Sequence, residues 1–185
     1  MDVTIISQRY AQALFDLAQE MKILDRINKD MLLVKSVVIE NPEFKRLLAS
    51  PIIPPGKKSQ IIKGIFEKHL DKLSFRFLQL VVKKEREIYL QFIAENFTSL
   101  YKKFKNIATV NLITAQPIDE KIRKDIIKLL VDTTHKEIEL LEDVDEQLIG
   151  GFVLSLEDTK YDASLRKKIS RLQKAFESNL YIKGY

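Results

Sequence analysis

The sequence predicts an α+β chain in two parts, an N-terminal six-helix bundle followed by a small β-α-β-β-α unit. Three observations carry this. Apolar residues recur at helical spacing up to about residue 104. Short β-branched and alternating runs appear only beyond it. The charge balance also reverses there: residues 1–105 hold 19 Lys/Arg against 12 Asp/Glu, and residues 106–185 hold 12 against 14. A sign change between halves points to two domains, 1–105 and 106–185, with different partners.

The bundle begins with a stripe of Ile6, Tyr10, Ala13, Leu14, Leu17 and Met21, with Arg9, Gln12, Asp16 and Gln19 mostly opposite. Leu24, Ile27, Met31, Val34 and Val38 continue the period over 23–39, and Asn41-Pro42 opens a short third helix with Phe44, Leu47 and Leu48. The segment "SPIIPPG" (50–56) is a loop, because its three prolines deny it helical backbone bonds. Ile61, Ile62, Ile65 and Phe66 mark a fourth helix, and 74–84 and 88–104 supply two more.

In the second part "IATVNLITA" (107–115) reads as a strand. Gln116-Pro117-Ile118-Asp119 breaks it and starts a helix whose inner face is Ile122, Ile126, Leu129 and Leu130. "EIELLED" and "FVLSLED" are two further alternating runs. Asp162 then stands as the N-cap of a last helix with Leu165, Ile169, Leu172, Phe176 and Leu180 on one stripe.

Much chemistry is excluded at this level. There is no cysteine, so disulfides, thiolate metal sites and cysteine nucleophiles are absent. The two histidines, His69 and His135, each fall near a helix C-terminus, where a histidine complements the helix dipole. Glu137, Glu139, Glu142, Asp143, Asp145, Glu146, Glu157 and Asp158 match no calcium-loop spacing and read as a solvated face. The pair Gly150-Gly151 precedes a strand, whereas a phosphate loop follows one and opens a helix, so its reading is structural. No cofactor or metal is expected. No apolar run approaches the roughly 20 residues that span a bilayer, and the start lacks a signal-peptide pattern. A soluble chain that stays where it is made is therefore expected. The lysine-rich helix faces, Lys57-Lys58, Lys102-Lys103-Lys105 and Arg166 to Lys174, keep RNA binding open as an alternative, although no aromatic RNA-binding motif accompanies them.

Three signatures resemble the delta subunit of F-type ATP synthases, the oligomycin-sensitivity-conferring protein of mitochondria. They are "RYAQALFDLA" (9–18), "LLASPIIPPGKKSQIIKGIF" (47–66) and "LIGGFVLSLEDTKYDASLRKKISRL" (148–172), the last combining Gly150, Gly151, Asp162 and Ser164. The resemblance implies a non-catalytic peripheral-stalk subunit, with no nucleic-acid partner, that stops the catalytic head from turning with the rotor. It implies a groove between the first and fifth helices that receives the N-terminal helix of an alpha subunit. On this sequence that groove maps to Tyr10, Ala13, Leu14 and Leu17, facing Phe77, Leu80, Val81 and Lys84. The C-terminal unit is implied to hold the C-terminal helices of the b subunits, with Leu165, Ile169, Leu172 and Phe176 as candidates. The implied location is peripheral, on the cytoplasmic side of a bacterial inner membrane, or the thylakoid or matrix side in an organelle. Two linked contacts would give slow dissociation without either being exceptional.

Overall fold

Helical spacing in the first half becomes six α-helices: α1 (Val3–Glu20), α2 (Leu24–Glu40), α3 (Pro42–Ala49), α4 (Pro55–Phe66), α5 (Lys72–Lys83) and α6 (Leu90–Phe104). The computed structural model describes residues 3–156 and 159–179, the side chains of 175–179 excepted. The chain is of mixed α+β class and divides into two compact units, Met1–Phe104 and Lys105–Tyr185. Pro42 and Pro55 occupy the first turns of α3 and α4, where a missing N–H costs nothing. Asp71 caps α5 by accepting from the Leu73 N–H at 2.8 Å.

In the first unit the core is built from Ile27, Met31 and Val34 of α2, Ile62 and Phe66 of α4, Leu78 and Val81 of α5, and Ile93 and Phe97 of α6, all fully buried. Each such side chain contributes about 1.5–3 kcal/mol by leaving water. The buried Ala11 and Ala18 let α1 lie closely along α6. α1 does not bury the single stripe that spacing suggests. Its buried face is Ile6, Ala11, Leu14, Phe15 and Ala18, while Ala13, Leu17 and Met21 are exposed. At 100° per residue the two apolar sets lie side by side on the helix, with Leu14 common to both.

Two buried polar connections fix the ends of helices. Asp30 accepts from the Asp71 N–H at 2.8 Å and pairs with Arg26 at 3.4 Å, and Arg26 donates to the His69 carbonyl at 2.9 Å. This holds the start of α5 against α2. Lys58 donates to the Leu48 carbonyl at 2.8 Å and forms an ion pair with Glu87, with both side chains buried. Lys58 therefore serves the fold and is not part of a solvated basic face.

The second unit contains β1 (Ile107–Thr114), α7 (Glu120–Thr134), β2 (Glu137–Val144), β3 (Phe152–Leu156), β4 (Thr159–Asp162) and α8 (Leu165–Asn179). The sheet order is β2-β1-β3-β4. β1 and β2 run parallel, joined through α7 as parallel neighbours require, and β3 pairs antiparallel with both β1 and β4. Val110, Leu112, Leu130 and Leu140 form the core, with Ile126, Ile127, Ile138, Leu154 and Leu156 against it. β4 is an addition to the expected β-α-β-β-α order. Its four residues have no apolar alternation, and Tyr161 is exposed, so its signal lies in backbone pairing with β3. On α7, Ile126 and Leu130 face inward as expected. Ile122 and Leu129 are exposed instead, and Ile127 takes an inward place. His135 ends α7 in the left-handed region at φ 54°, its N–H bonded to the Val131 carbonyl.

Candidate functional site

The second apolar face of α1 opens onto a groove of about 400 Å³ shared with α5. Tyr10, Ala13, Leu14 and Leu17 line one wall, and Leu73, Phe77 and Leu80 the other, with Arg9 and Arg76 among them. α1 packs chiefly on α6, and α5 on α4, so α1 and α5 do not close on each other. Tyr10 and Phe77 meet edge to face across the floor, ring centroids 6.3 Å apart. Leu17 is 47% exposed and Leu80 46%, an apolar lining left open to solvent.

Six of the eight groove residues read from the sequence come together here. Val81 is fully buried in the bundle core, one position round the helix from Leu80, and does not line the groove. Lys84 stands beyond the last turn of α5 and is also outside the lining. Sequence reasoning missed Arg9, Leu73 and Arg76. The spacing 73, 76, 77, 80 is itself a one-face helical ladder and would have found the last two.

In the second unit Leu165, Ile169 and Leu172 of α8 are 42–58% exposed, an apolar stripe facing solvent. Phe176, read from the sequence as its continuation, and Leu180 beyond it lie outside the described side chains. The segment 150–165 sets where this helix starts. The Ala163 N–H donates to the Phe152 carbonyl and the Leu165 N–H to the Gly150 carbonyl, each at 2.9 Å. A Cβ on Gly151, whose φ is +81°, would collide with the Ala163 carbonyl oxygen and meet the Ser164 Cα at 3.0 Å. A Cβ on Gly150 would meet the Leu165 Cδ1 at 2.7 Å. Gly151 thus allows backbone to lie against backbone, and Gly150 lets the Leu165 side chain approach the chain closely, which is the structural role read from the sequence.

Ser164, not Asp162, is the N-cap of α8: its Oγ accepts from the Lys167 N–H at 3.2 Å. Asp162 acts one step earlier, accepting from the Ser164 N–H at 3.0 Å, with Lys167 at 3.8 Å. Hydrogen bonds from the Ser164 hydroxyl and then its N–H hold the Asp162 carboxyl below the usual carboxylate range, aided by the charges of Lys167 and Lys160. Two of the strand carboxylates are engaged structurally, Glu139 with Thr109 at 3.0 Å and Glu142 with Arg123 at 2.8 Å. Glu157 and Asp158 lie outside the described residues.

The family described as ATP synthase delta (OSCP) subunit matches residues 6–176.

The chain belongs to that family.

An ATP synthase subunit delta from Cytophaga hutchinsonii is 34% identical over 95% of this chain and 96% of its own length. Another, from Bacteroides thetaiotaomicron, is 30% identical over 95% and 96%. In fold, the chain is similar to one in the Toxoplasma gondii mitochondrial ATP synthase hexamer, with a TM-score of 0.73, 21% identity, and coverage of 92% of this chain and 96% of that one. The family consists of peripheral-stalk components that are structural and not catalytic, and its members give the RNA-binding alternative no support.

Proposed function

We propose that this chain joins the catalytic head of an F-type ATP synthase to its b-subunit stalk, so that the head resists rotor torque during proton-driven ATP synthesis. The observation that carries the proposal is the open groove of α1 and α5. An apolar trough lined at positions 10, 13, 14 and 17 of one helix and 73, 77 and 80 of another fits the apolar face of a third helix. In this reading the occupant is the N-terminal helix of an alpha subunit. The exposed stripe Leu165, Ile169 and Leu172 then meets the C-terminal ends of the b subunits. The two functions fall on separate units, 1–105 toward the head and 106–185 toward the stalk.

No helix among the described residues is long and apolar enough to cross a membrane. Attachment through the rest of the complex, on the cytoplasmic side of a bacterial inner membrane, is the proposed location. The excess basic charge of residues 1–105 would favour approach to an acidic head surface, raising association rate more than affinity.

The test is binding of the full-length chain to a peptide of the alpha-subunit N-terminus. Tyr10→Asp places a charge against Phe77 and should weaken binding about tenfold or more, a cost of at least ~1.4 kcal/mol. Leu172→Asp should leave peptide binding unchanged while lowering retention of b subunits in the purified complex. Unaltered peptide affinity in Tyr10→Asp would remove the groove from the account.

A further inference from the structure

We propose that Arg9 and Arg76 make the groove selective for a helix whose apolar stripe is flanked by carboxylates. The proposal rests on the helix-in-groove reading above and adds the charge chemistry of the occupant. The nine lining residues include two charged ones, both arginines, one on each wall, and no carboxylate. Arg9 precedes Tyr10 on α1, and Arg76 precedes Phe77 on α5, so each wall carries one arginine along with the two rings that meet across the groove. Among the described residues neither arginine has an ion-pair or hydrogen-bond partner, although the same unit pairs Arg26, Lys35, Lys58 and Lys63 with carboxylates.

The occupant's dimensions follow from the walls. From Tyr10 to Leu17 is seven residues, about 10.5 Å along a helix axis, or two turns. A docking helix therefore presents apolar residues at i, i+3 or i+4, and i+7 to this trough. Positions adjoining that stripe fall over the two walls, where Arg9 and Arg76 stand. A planar guanidinium engages a carboxylate through two parallel hydrogen bonds, which a lysine ammonium cannot do, so glutamate or aspartate at those flanking positions is favoured. Glutamine there forms weaker bonds, and lysine is repelled.

The full-length chain is titrated calorimetrically with three synthetic helical peptides of about 18 residues. All carry leucine at i, i+4, i+7 and i+11, and the positions flanking the stripe are glutamate, glutamine or lysine. The glutamate peptide is expected to bind about 3- to 10-fold more tightly than the glutamine peptide at about 50 mM salt, because each rim pair contributes modestly. That advantage shrinks at about 500 mM salt, where charges are screened. It disappears in Arg9→Gln/Arg76→Gln and returns in part in Arg9→Lys/Arg76→Lys.

Equal affinity for the glutamate and glutamine peptides, or a preference that survives loss of both arginines, overturns the proposal. Ala13→Phe separates this failure from that of the underlying reading. It fills the groove at an exposed position without changing charge. If Ala13→Phe leaves the affinity of every peptide unchanged, binding is elsewhere and both readings fall. If Ala13→Phe abolishes binding while the peptides are not distinguished, the groove stands and the charge selection falls.

Discussion

Replacing Gly151 with alanine would force a side chain into a place already filled by backbone. The added Cβ would overlap the Ala163 carbonyl oxygen and press on the Ser164 Cα, neither of which is the free end of a side chain. The residue is also held at φ +81°, outside the region L-residues favour, which alone costs about 1–2 kcal/mol. With the displacement of the Ala163–Ser164 backbone the total should exceed ~2 kcal/mol, a large share of the stability of a small unit. Gly150→Ala should cost less, because its new methyl would meet the end of the Leu165 side chain, which can turn aside. Gly64→Ala provides the opposite sign: that residue lies within α4, exposed and with nothing within 4 Å of the added atom, so it should stabilise by about 0.5–1 kcal/mol. Urea unfolding followed by hydrogen exchange of peptides from each unit reads all three. The expected order of stability is Gly64→Ala, wild type, Gly150→Ala, Gly151→Ala, with loss of protection in the last confined to residues beyond 105. Gly151→Ala as stable as Gly150→Ala would refute the close-approach reasoning.

Acidification should loosen the start of α8. The Asp162 carboxyl is held low in the folded chain, so its contribution is present above the usual carboxylate range and is lost as pH falls through the lowered value. Asp162→Asn should remove that dependence, measured as exchange protection of residues 164–168 against pH. Ser164→Ala should destabilise the same helix by about 1 kcal/mol at neutral pH, by loss of the N-cap. Lys58→Met leaves the buried Glu87 carboxylate without its partner and should cost about 3–5 kcal/mol. Lys58→Met/Glu87→Leu should recover most of it in the same urea titration.

What the sequence made legible depended on periodicity and on short-range chemistry. The helices bounded by proline were readable, because proline acts within a few residues; the Asp71 cap of α5 was not read, although a capping aspartate before a helical run is a short-range signal. β4 was not readable, since a short edge strand is held by hydrogen bonds to β3 and needs no apolar alternation. The cap of α8 was placed two residues early because Asp162 and Ser164 are both good cap residues, and their division of labour depends on the Asp162 bond to the Ser164 N–H. The inner face of α7 was misjudged at Leu129, because an apolar residue at helical spacing does not say which side the sheet is on. On α1 a single stripe concealed two faces, one for the core and one for the groove. Val81 and Leu80 are neighbours in sequence and on different sides of the wall, a distinction that only the packing of α5 on the bundle draws.

The central claim is that the α1–α5 groove holds the alpha subunit in the assembled enzyme, and the absence of cysteine from the chain allows a direct test. A single Ala13→Cys carrying a short photoreactive group should crosslink, within the intact synthase, to the N-terminal segment of an alpha subunit. The same group at Leu172→Cys should crosslink to a b subunit. Capture of the alpha N-terminus from position 172, or its absence from position 13 while the complex is intact, would contradict the account.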